Sequence, residues 1–547
     1  METNMSLKNN EITRAVNRGI PCESGLCMQC RMDCKGQCEV FLSSTRGRKM
    51  LYTQEPVGTV TYGSNNMQEQ AISYNALKIQ GRLIGVQNSN AKDRIPQQYL
   101  TPNVDVSTEF GNVRKTKCLV PLNMGAALNV VGRYWNSYAY AAALMGYTLV
   151  IGENAMNMDP GLEIRNGKVI SSPRTEKMVE AFLRYDQGYG GVIVQLNYDD
   201  IYNDNQTLDY ICRKYGNKII IEIKIGQGGK CINGEAVTED IQKAVKMRQR
   251  YPVYPDPLDP KVQEEWRNGK IKRFTRYSCV PFTEANDYQE AEEQFVNLVK
   301  HIREQGVERV FLKTAGFSLD GVAASLKLGS RAKIDLITFD GSGGGTAHSP
   351  WPMMEHWGIP ALMLHAKVAE YAAILRERGE RVPDLSFAGG FSGEDHILKA
   401  LALGAPFTKT VTMCRALIIP GAVGSNIEGV LHPDRKALVN GMWDELPASI
   451  AALGNTPEQI FDAYLDVQNK VGRDEMKNLP YGTIANWCYV DKMMTGLRQL
   501  MSGLRVFSLK DISREDIAAI NQATADITGI PLITDAYEEQ AMKILLE

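Results

Sequence analysis

The apolar run KIDLITFDG (333–341) continues directly into SGGGTAHS (342–349), a loop with three consecutive glycines. The next apolar run, DLSFAGG (384–390), ends in a second glycine pair, Gly389-Gly390. Backbone N–H groups approach an anion closely only where no Cβ intervenes, so such loops are typical of phosphate sites. Two consecutive strands that each open into a glycine-rich loop predict a barrel whose loops hold a phosphorylated cofactor.

Short β-rich runs alternate with helical patterns from about residue 116 onward. Besides the two runs above, they are 117–125, 148–155, 191–197, 218–226, 309–316 and 407–413. Strands that are apolar on both faces and separated by helices are typical of a closed parallel sheet. Eight such runs favour an α/β fold of the (β/α)8 TIM-barrel type over an open sheet.

The rest of the chain is arranged around this barrel. The predicted units are a Cys-rich metal-binding segment (1–50), an N-terminal extension or linker (51–115), the barrel (116–430) and a mostly helical C-terminal region (431–547). C-terminal helices are predicted at 446–454, 457–470, 487–502 and 513–527. Segment 251–284 contains YPVYPDPLDP and interrupts the βα rhythm, so we predict a long insertion after the fourth strand.

Composition excludes several classes of protein. Of the 547 residues, 44% are hydrophobic and 23% are charged, as in an ordinary soluble globular protein. A net charge of −2 gives no electrostatic reason to expect nucleic acid or an anionic membrane as partner. No apolar run approaches the roughly 18–20 residues needed to span a bilayer, and the N-terminus lacks the apolar region of a signal peptide. We therefore expect a cytoplasmic protein, and a homo-oligomer.

Five cysteines fall within seventeen residues with the spacing C-x4-C-x2-C-x3-C-x3-C; they are Cys22, Cys27, Cys30, Cys34 and Cys38. In a large cytosolic chain such a cluster favours a metal site over disulfides. Thiolates without histidine suit either structural zinc or an iron–sulfur cluster, and an iron–sulfur cluster of the [4Fe-4S] type is the prediction we favour. Which four of the five cysteines bind stays open.

Polar residues at the ends of barrel strands are the candidates for chemistry, because active sites of such barrels lie at that face. Lys313 ends the fifth predicted strand, where its ammonium group would meet an anion or a polarised carbonyl, or simply reach the rim. Gln195 could hydrogen-bond a flat heterocycle or be a rim residue. Glu153 is either a base or substrate-positioning carboxylate, or a salt-bridge partner of Lys224 or Lys313.

The fourth strand ends in IKIGQGGK (223–230), which places Lys224, Gln227 and Lys230 around three glycines. This grouping suggests a bound carboxylate or amide, although a plain tight turn would also explain the glycines.

Four motifs, in order along residues 115–425, resemble the FMN-binding synthase domain of glutamate synthase. NMGAALN (123–129) with GEN (152–154) resembles the MS-x-G-[AS]-[IL]-S … GEGG stretch of that family, and IKIGQGGK resembles IK-[IF]-x-QGAK. FDGSGGGTAHSP, followed by HWGIP, resembles GHDGGTGASP … HAGLP, and SFAGGFSGEDHILKALALGA (386–405) resembles DGG-[LI]-x-[TS]-G-x-D-[VI] … ALLGA. Any one motif alone would be weak, but four in order are specific.

The resemblance implies an FMN barrel. It implies that Gly389 and Gly390, with the exit of strand eight around Thr410, hold the phosphate, and that Gly343, Gly344 and Gly345 face the flavin or substrate. Met124 and Gly125 would line the isoalloxazine, and Gln195 would pair with its polar edge. Lys313 would lie by N1–C2=O, where its charge stabilises the anionic reduced flavin.

The departures from the family pattern surround the substrate position. The amidotransferase domain with its N-terminal catalytic cysteine has no counterpart, and the three cluster-binding cysteines after strand eight are missing except for nearby Cys414. GENAMN replaces GEGGED, and CINGEA follows the QGGK stretch. The cofactor pocket is thus better supported than glutamate production from 2-oxoglutarate.

The sequence therefore predicts an FMN-dependent oxidoreductase acting on CH–NH2 donors, with Lys313, Glu153 and Gln227 as catalytic candidates. Hydride or electrons would move between the flavin and an amino acid or imine, or an oxo acid. The N-terminal cluster would relay electrons from ferredoxin or a partner electron-transfer subunit. Two alternatives stay open: a subunit of an amine-transferring complex similar to N-methylglutamate synthase, and a non-catalytic scaffold or electron-transfer subunit.

Overall fold

The computed structural model describes residues 38–47, 72–88, 95–111, 117–125, 132–153, 155–156, 159–166, 168–198, 201, 206–228, 236–249, 251–277, 279–342, 344 and 357–547.

Eight parallel strands close into a barrel, which confirms the predicted architecture. They are β1 (Leu122–Met124), β2 (Thr148–Ile151), β3 (Gly191–Asn197), β4 (Ile220–Lys224), β5 (Val310–Ala315), β6 (Leu336–Asp340), β7 (Asp384–Ala388) and β8 (Thr408–Met413). Each lies within one of the eight predicted runs. Neighbours pair in chain order, and β8 pairs with β1 to close the ring.

One helix follows each strand and covers the barrel from outside. The helices are α1 (Trp135–Met145), α2 (Pro173–Leu183), α3 (Gln206–Tyr215), α4 (Tyr288–Glu304), α5 (Leu319–Arg331), α6 (Ala361–Glu377), α7 (Glu394–Leu403) and α8 (Arg415–Leu431). Local sequence sets several starts: the side chains of Asp287 and Ser318 accept backbone N–H groups at the first turns of α4 and α5. These helices bury the outward apolar side chains of the strands.

The insertion after β4 begins earlier than predicted. Its described part runs from residue 236 and forms a three-stranded antiparallel sheet of Ala236–Thr238, Phe274–Arg276 and Val253–Tyr254, with helices Ile241–Arg248 and Pro260–Arg267. Ile241, Ala244, Val253 and Phe274 form a small core of its own. The predicted start of the insertion at residue 251 was wrong, because its first strand, Ala236–Thr238, is too short to show as an apolar run in the sequence. A hairpin, Glu163–Arg165 with Lys168–Ser171, also lies between β2 and α2.

The C-terminal region packs back onto the barrel. Its long helix α9 (Tyr481–Gly503) contacts α8, α1 and α7, together with the N-terminal helix Glu39–Arg46. The predicted helix 513–527 was wrong in its first half. Ile517–Ala519 is a strand that pairs antiparallel with Leu77–Ile79, and the helix begins only at Gln522. The remaining C-terminal helices are Ala448–Ala451, Pro457–Ile460, Tyr464–Val471, Arg473–Met476 and Glu538–Leu546.

The interior of the barrel is apolar at one end and polar at the other. Its amino-terminal end is filled by a cluster of fully or nearly fully buried side chains: Phe110, Cys118, Val150, Ile193, Ile220, Phe311 and Leu336. Next to it, Thr108–Glu109 pairs with Lys117–Cys118. Because side chains alternate along each strand, the next inward positions towards the carboxyl ends are mostly polar. Among the described residues, the polar side chains of the barrel interior therefore lie towards its carboxyl-terminal mouth.

A buried histidine joins α6 to the barrel and to the N-terminal segment. The His365 ring stacks on Phe387 and contacts the Tyr74 hydroxyl through Nδ1 at 2.7 Å and Thr408 Oγ1 through Nε2 at 3.1 Å. Burial, with a further contribution from Arg514, holds the pKa of His365 well below its usual 6.5. His365 is therefore a neutral structural residue, as its position on a helix suggests.

The stability of the fold should fall as the pH drops below about 6.5. The unfolded chain then protonates His365 and the folded chain does not, so proton uptake favours unfolding by up to about 1.4 kcal/mol per pH unit. Urea unfolding on either side of pH 6.5, in the wild type and in His365→Gln, measures this contribution. If the free energy of unfolding changed with pH equally in the wild type and in the variant, His365 would make no such contribution.

Across the part of the chain that the structure describes, no helix is both long and apolar enough to cross a membrane.

Candidate active site at the barrel mouth

Inward-facing polar side chains gather at the carboxyl ends of β3 to β6. Strand pairing places Gln195 opposite Glu222 and Asn197 opposite Lys224, and further places Lys313 opposite both Lys224 and Thr338. All six are buried except Lys313, which is only slightly exposed. These side chains from neighbouring strands form one connected polar layer.

Two buried ion pairs hold the lysines of this layer. Lys224 Nζ lies 2.7 Å from Glu153 Oε1, and Lys313 Nζ lies 3.5 Å from Asp340 Oδ2. Glu153 is therefore the salt-bridge partner of Lys224, one of the two roles expected from the sequence. A substrate-positioning role is still compatible with this contact, because a carboxylate can accept more than one hydrogen bond.

Glu222 is a site residue that the sequence reasoning missed. It is 1% exposed and its Oε1 accepts a 2.5 Å hydrogen bond from Gln195 Nε2. Its Oε2 is buried with no hydrogen-bond partner among the described residues. The signal was present in IIIEIKIG: a glutamate two positions before Lys224 lies on the same inward face of a buried strand.

Burial and the opposing charges together set the protonation of the layer. Burial raises the pKa of Glu222, while Lys313 opposes that shift. Burial also raises the pKa of Asp340, again against Lys313. For Lys313, burial acts to lower the pKa, but the carboxyl groups of Asp340 and Glu222 outweigh it and the pKa is raised. Lys313 is thus a permanently charged group at neutral pH.

The loops that follow β4 and β6 approach each other so closely that there is no room for a side chain at the contact. A Cβ on Gly228, after β4, would lie 1.8 Å from the carbonyl oxygen of Gly341, after β6. A Cβ on Gly344 would lie 1.9 Å from Asp340 Oδ1. Gly343 and Gly345, in the same loop, lie outside the described residues. Gly228, Gly341 and Gly344 therefore form a tightly packed rim beside Asp340.

Gly389 and Gly390 follow β7 with φ of +119° each, a conformation that L side chains rarely adopt. This geometry turns the backbone sharply at the end of the strand, beside the exit of β8. The phosphate-binding role of this pair stays a prediction.

Of three other predicted residues, two have side chains that lie away from the mouth of the barrel. Thr410 is in the middle of β8, fully buried, so the exit of that strand is at Met413 rather than at Thr410. Met124 is fully buried in the main apolar cluster between barrel and helices, so any contact with a bound ring would come from its backbone. Gly125, whose N–H donates to Met413 O at 2.8 Å, lies at the mouth.

The true exit of β8 brings Cys414 and Arg415 next to the end of β7. Burial raises the pKa of the Cys414 thiol, and the neighbouring Lys313 and Arg415 oppose this. The sequence reasoning did not single out Arg415, although a cation directly after the eighth strand was visible in TMCRAL. Gln227, a predicted catalytic residue, is buried at the mouth, and its Oε1 has no partner within the described residues.

The predicted metal cluster falls mostly outside the described residues, which include Cys38 but not Cys22, Cys27, Cys30 or Cys34. Cys38 caps the helix Glu39–Arg46, where its Sγ accepts the Phe41 N–H at 3.4 Å. In the described ranges no group of three or more His, Cys, Asp or Glu side chains could hold a metal ion. The cluster stays a prediction.

Comparison with known proteins agrees with the resemblance read from the motifs. Residues 274–424, which include β5 to β8, match the conserved region in glutamate synthase. Over these strands the chain is therefore similar to the conserved region of glutamate synthase. An archaeal glutamate synthase [NADPH] from Archaeoglobus fulgidus is 29% identical over 188 residues, 34% of this chain and 32% of the relative. The match thus spans about a third of that relative.

Solved structures with a similar arrangement are only distantly alike. A flavocytochrome b2 variant with sulfite bound aligns over 99% of this chain and 97% of its own, with 12% identity and a TM-score of 0.42. An IMP dehydrogenase/GMP reductase-like protein from Corynebacterium glutamicum covers 84% of this chain and 97% of its own, with 10% identity and a TM-score of 0.41.

Proposed function

We propose that the protein is an FMN-dependent oxidoreductase that moves a hydride between bound flavin and an amino acid or imine, or an oxo acid. The observation that carries the proposal is the ammonium group of Lys313, only slightly exposed and 3.5 Å from Asp340, between Gln195 on β3 and the glycine-rich ends of β6 and β7. The glutamate synthase-like barrel supports the same conclusion.

The residues present fit FMN. A slightly exposed ammonium group, an amide and a carboxyl oxygen with no partner among the described residues suit the pyrimidine edge of a flavin, which carries both carbonyl acceptors and an N–H donor. Gly389 and Gly390 bend the backbone at the expected phosphate position, and Arg415 is the first residue of the helix that follows the neighbouring strand β8. Lys313, Gln195 and Gly125 would hold the ring, and the glycine pair with Arg415 would hold the phosphate.

When bound, FMN would supply the hydride chemistry, and the side chains would bind, orient and balance charge. Lys313 stabilises negative charge at the ring edge. Glu153 and Lys224, fixed to each other, would present an acceptor and a donor next to Lys313, and Gln227 Oε1, just beyond β4, has no partner among the described residues. An amino acid carries the matching ammonium and carboxylate groups, so a CH–NH2 donor is the substrate class we favour.

Purified protein should be yellow and bind FMN in a one-to-one ratio, and its flavin should bleach anaerobically with at least one amino acid in a panel of amino and hydroxy acids. Absorbance spectra measure both results. A colourless preparation that does not take up FMN would leave only the scaffold function. Bleaching by hydroxy acids alone would overturn the substrate class and keep the flavin.

We further propose that the five-cysteine segment binds an iron–sulfur cluster that receives electrons from ferredoxin or a partner subunit. The spacing of the cysteines and the flavin pocket support this, since a redox cluster is useful beside a redox cofactor. Iron analysis and EPR of anaerobically purified protein test it. Zinc without iron would leave the segment structural.

A further inference from the structure

Glu222 occupies a place in the barrel that the proposed function leaves unexplained. Its strand, β4, lies between β3, which carries Gln195, and β5, which carries Lys313. Gln195 and Lys313 are the two residues that would hold the polar edge of the flavin ring. A flat ring that contacts both of them would therefore cross β4 beside Glu222, the register partner of Gln195, and Lys224, the register partner of Lys313.

The hydrogen bonding of Glu222 is incomplete in a way that calls for a donor. Gln195 Nε2 satisfies Oε1, and Oε2 is left buried with no partner among the described residues. A buried acceptor without a donor is costly, so such atoms commonly face a ligand. The imide N–H of a flavin is a donor at the edge that Gln195 and Lys313 would hold.

Glu222 also changes the charge that a flavin would meet. Lys313 Nζ lies 3.5 Å from the carboxyl group of Asp340, and it also interacts with the carboxyl group of Glu222 on the adjacent strand β4. One ammonium group is thus set against two carboxyl groups. An anionic reduced flavin gains less from such a lysine than from one without counter-charges.

We propose that Glu222 forms the floor of the flavin pocket, where its carboxylate accepts the imide N–H and, by offsetting Lys313, lowers the reduction potential of bound FMN. This proposal rests on the proposed function, since it requires FMN in the barrel. Glu222 is a cofactor-positioning and tuning residue, and no proton or electron transfer is assigned to it.

The first test needs no variant. FMN methylated at the imide nitrogen cannot donate to Glu222 and places a methyl group against its carboxylate. The wild-type protein should bind this analogue roughly tenfold or more weakly than FMN, as measured by fluorescence titration. Glu222→Ala removes both the acceptor and the obstacle, so it should bind the two flavins about equally.

The second test separates charge from contact. Glu222→Gln keeps the shape and removes the charge, so it should favour reduced over oxidised FMN roughly tenfold more than the wild type does. A tenfold change raises a two-electron potential by about 30 mV. Spectroelectrochemistry measures the reduction potential. Separate anaerobic titrations with oxidised and with reduced FMN measure the two affinities, and the change in their ratio must match the shift in potential.

Asp335→Asn is the matched control. Asp335 is also a buried barrel carboxylate, but it lies at the opposite end, where it accepts the Val310 N–H at 2.8 Å. This variant should keep the wild-type potential and the wild-type preference for unmethylated FMN. Wild-type protein that binds both flavins equally, or a Glu222→Gln potential at or below the wild-type value, would overturn the inference. Wild-type protein that binds no flavin would instead overturn the proposed function.

Discussion

Lys313→Met is expected to slow reduction of the bound flavin by about 10²–10³-fold, the loss typical of removing one group that stabilises developing charge. Lys313 is the ammonium group that faces Asp340 and Glu222 where we propose the flavin edge, and its pKa is raised, so it is charged throughout the neutral range. Anaerobic stopped-flow with the substrate that bleaches the wild type measures the rate. The potential of the variant should also be lower.

The variant also removes the larger of two counter-charges from the buried carboxyl groups of Glu222 and Asp340 and leaves them only Lys224. Removal of one partner of a buried ion pair is expected to destabilise the fold by about 3–5 kcal/mol. A double variant, Lys313→Met with Asp340→Asn, should recover much of that stability without recovering flavin reduction. Lys327→Met provides a matched control, because Lys327 pairs with Glu380 at 2.6 Å on the outside of the barrel. A stable, flavin-loaded Lys313→Met protein that reduces at the wild-type rate would remove Lys313 from the proposed chemistry.

The barrel was predictable because its information is local. Each strand is a short run that is apolar on both faces, and each is followed by a helix. The strand Ile517–Ala519 was not predictable, since its partner Leu77–Ile79 lies far away in sequence and supplies the pairing that overrides a helical pattern. The same reason applies to the insertion, whose three short strands become a sheet only by pairing with one another.

The candidate site was predictable only in part, for a similar reason. Lys313 and Gln195 stood out because a polar residue ends an apolar run. Glu222 and Asp340 did not, because their importance depends on which side chains face them from neighbouring strands. Thr410 lies three residues before the end of β8, although the predicted run 407–413 ends where the strand does, and Cys414 and Arg415 follow that end. Geometry across strands thus decides the site, whereas pattern along the chain decides the fold.

Gly228→Ala is expected to weaken FMN binding about 10- to 100-fold, because overpacking of about 1–3 kcal/mol would fall on the flavin rim. The new Cβ would lie 1.8 Å from Gly341 O and 3.1 Å from Gly344 N, and all of these are backbone atoms that cannot rotate away. The loops after β4 and β6 must therefore separate, which also withdraws the Gly228 N–H from Asp340. Titration with FMN and thermal unfolding without it measure the two effects.

Gly503→Ala is the matched control. A Cβ at the end of α9 would meet nothing within 4 Å, so this variant should leave FMN affinity and thermal stability at or slightly above the wild-type values. Wild-type FMN affinity in Gly228→Ala would show that the rim does not form part of the flavin pocket.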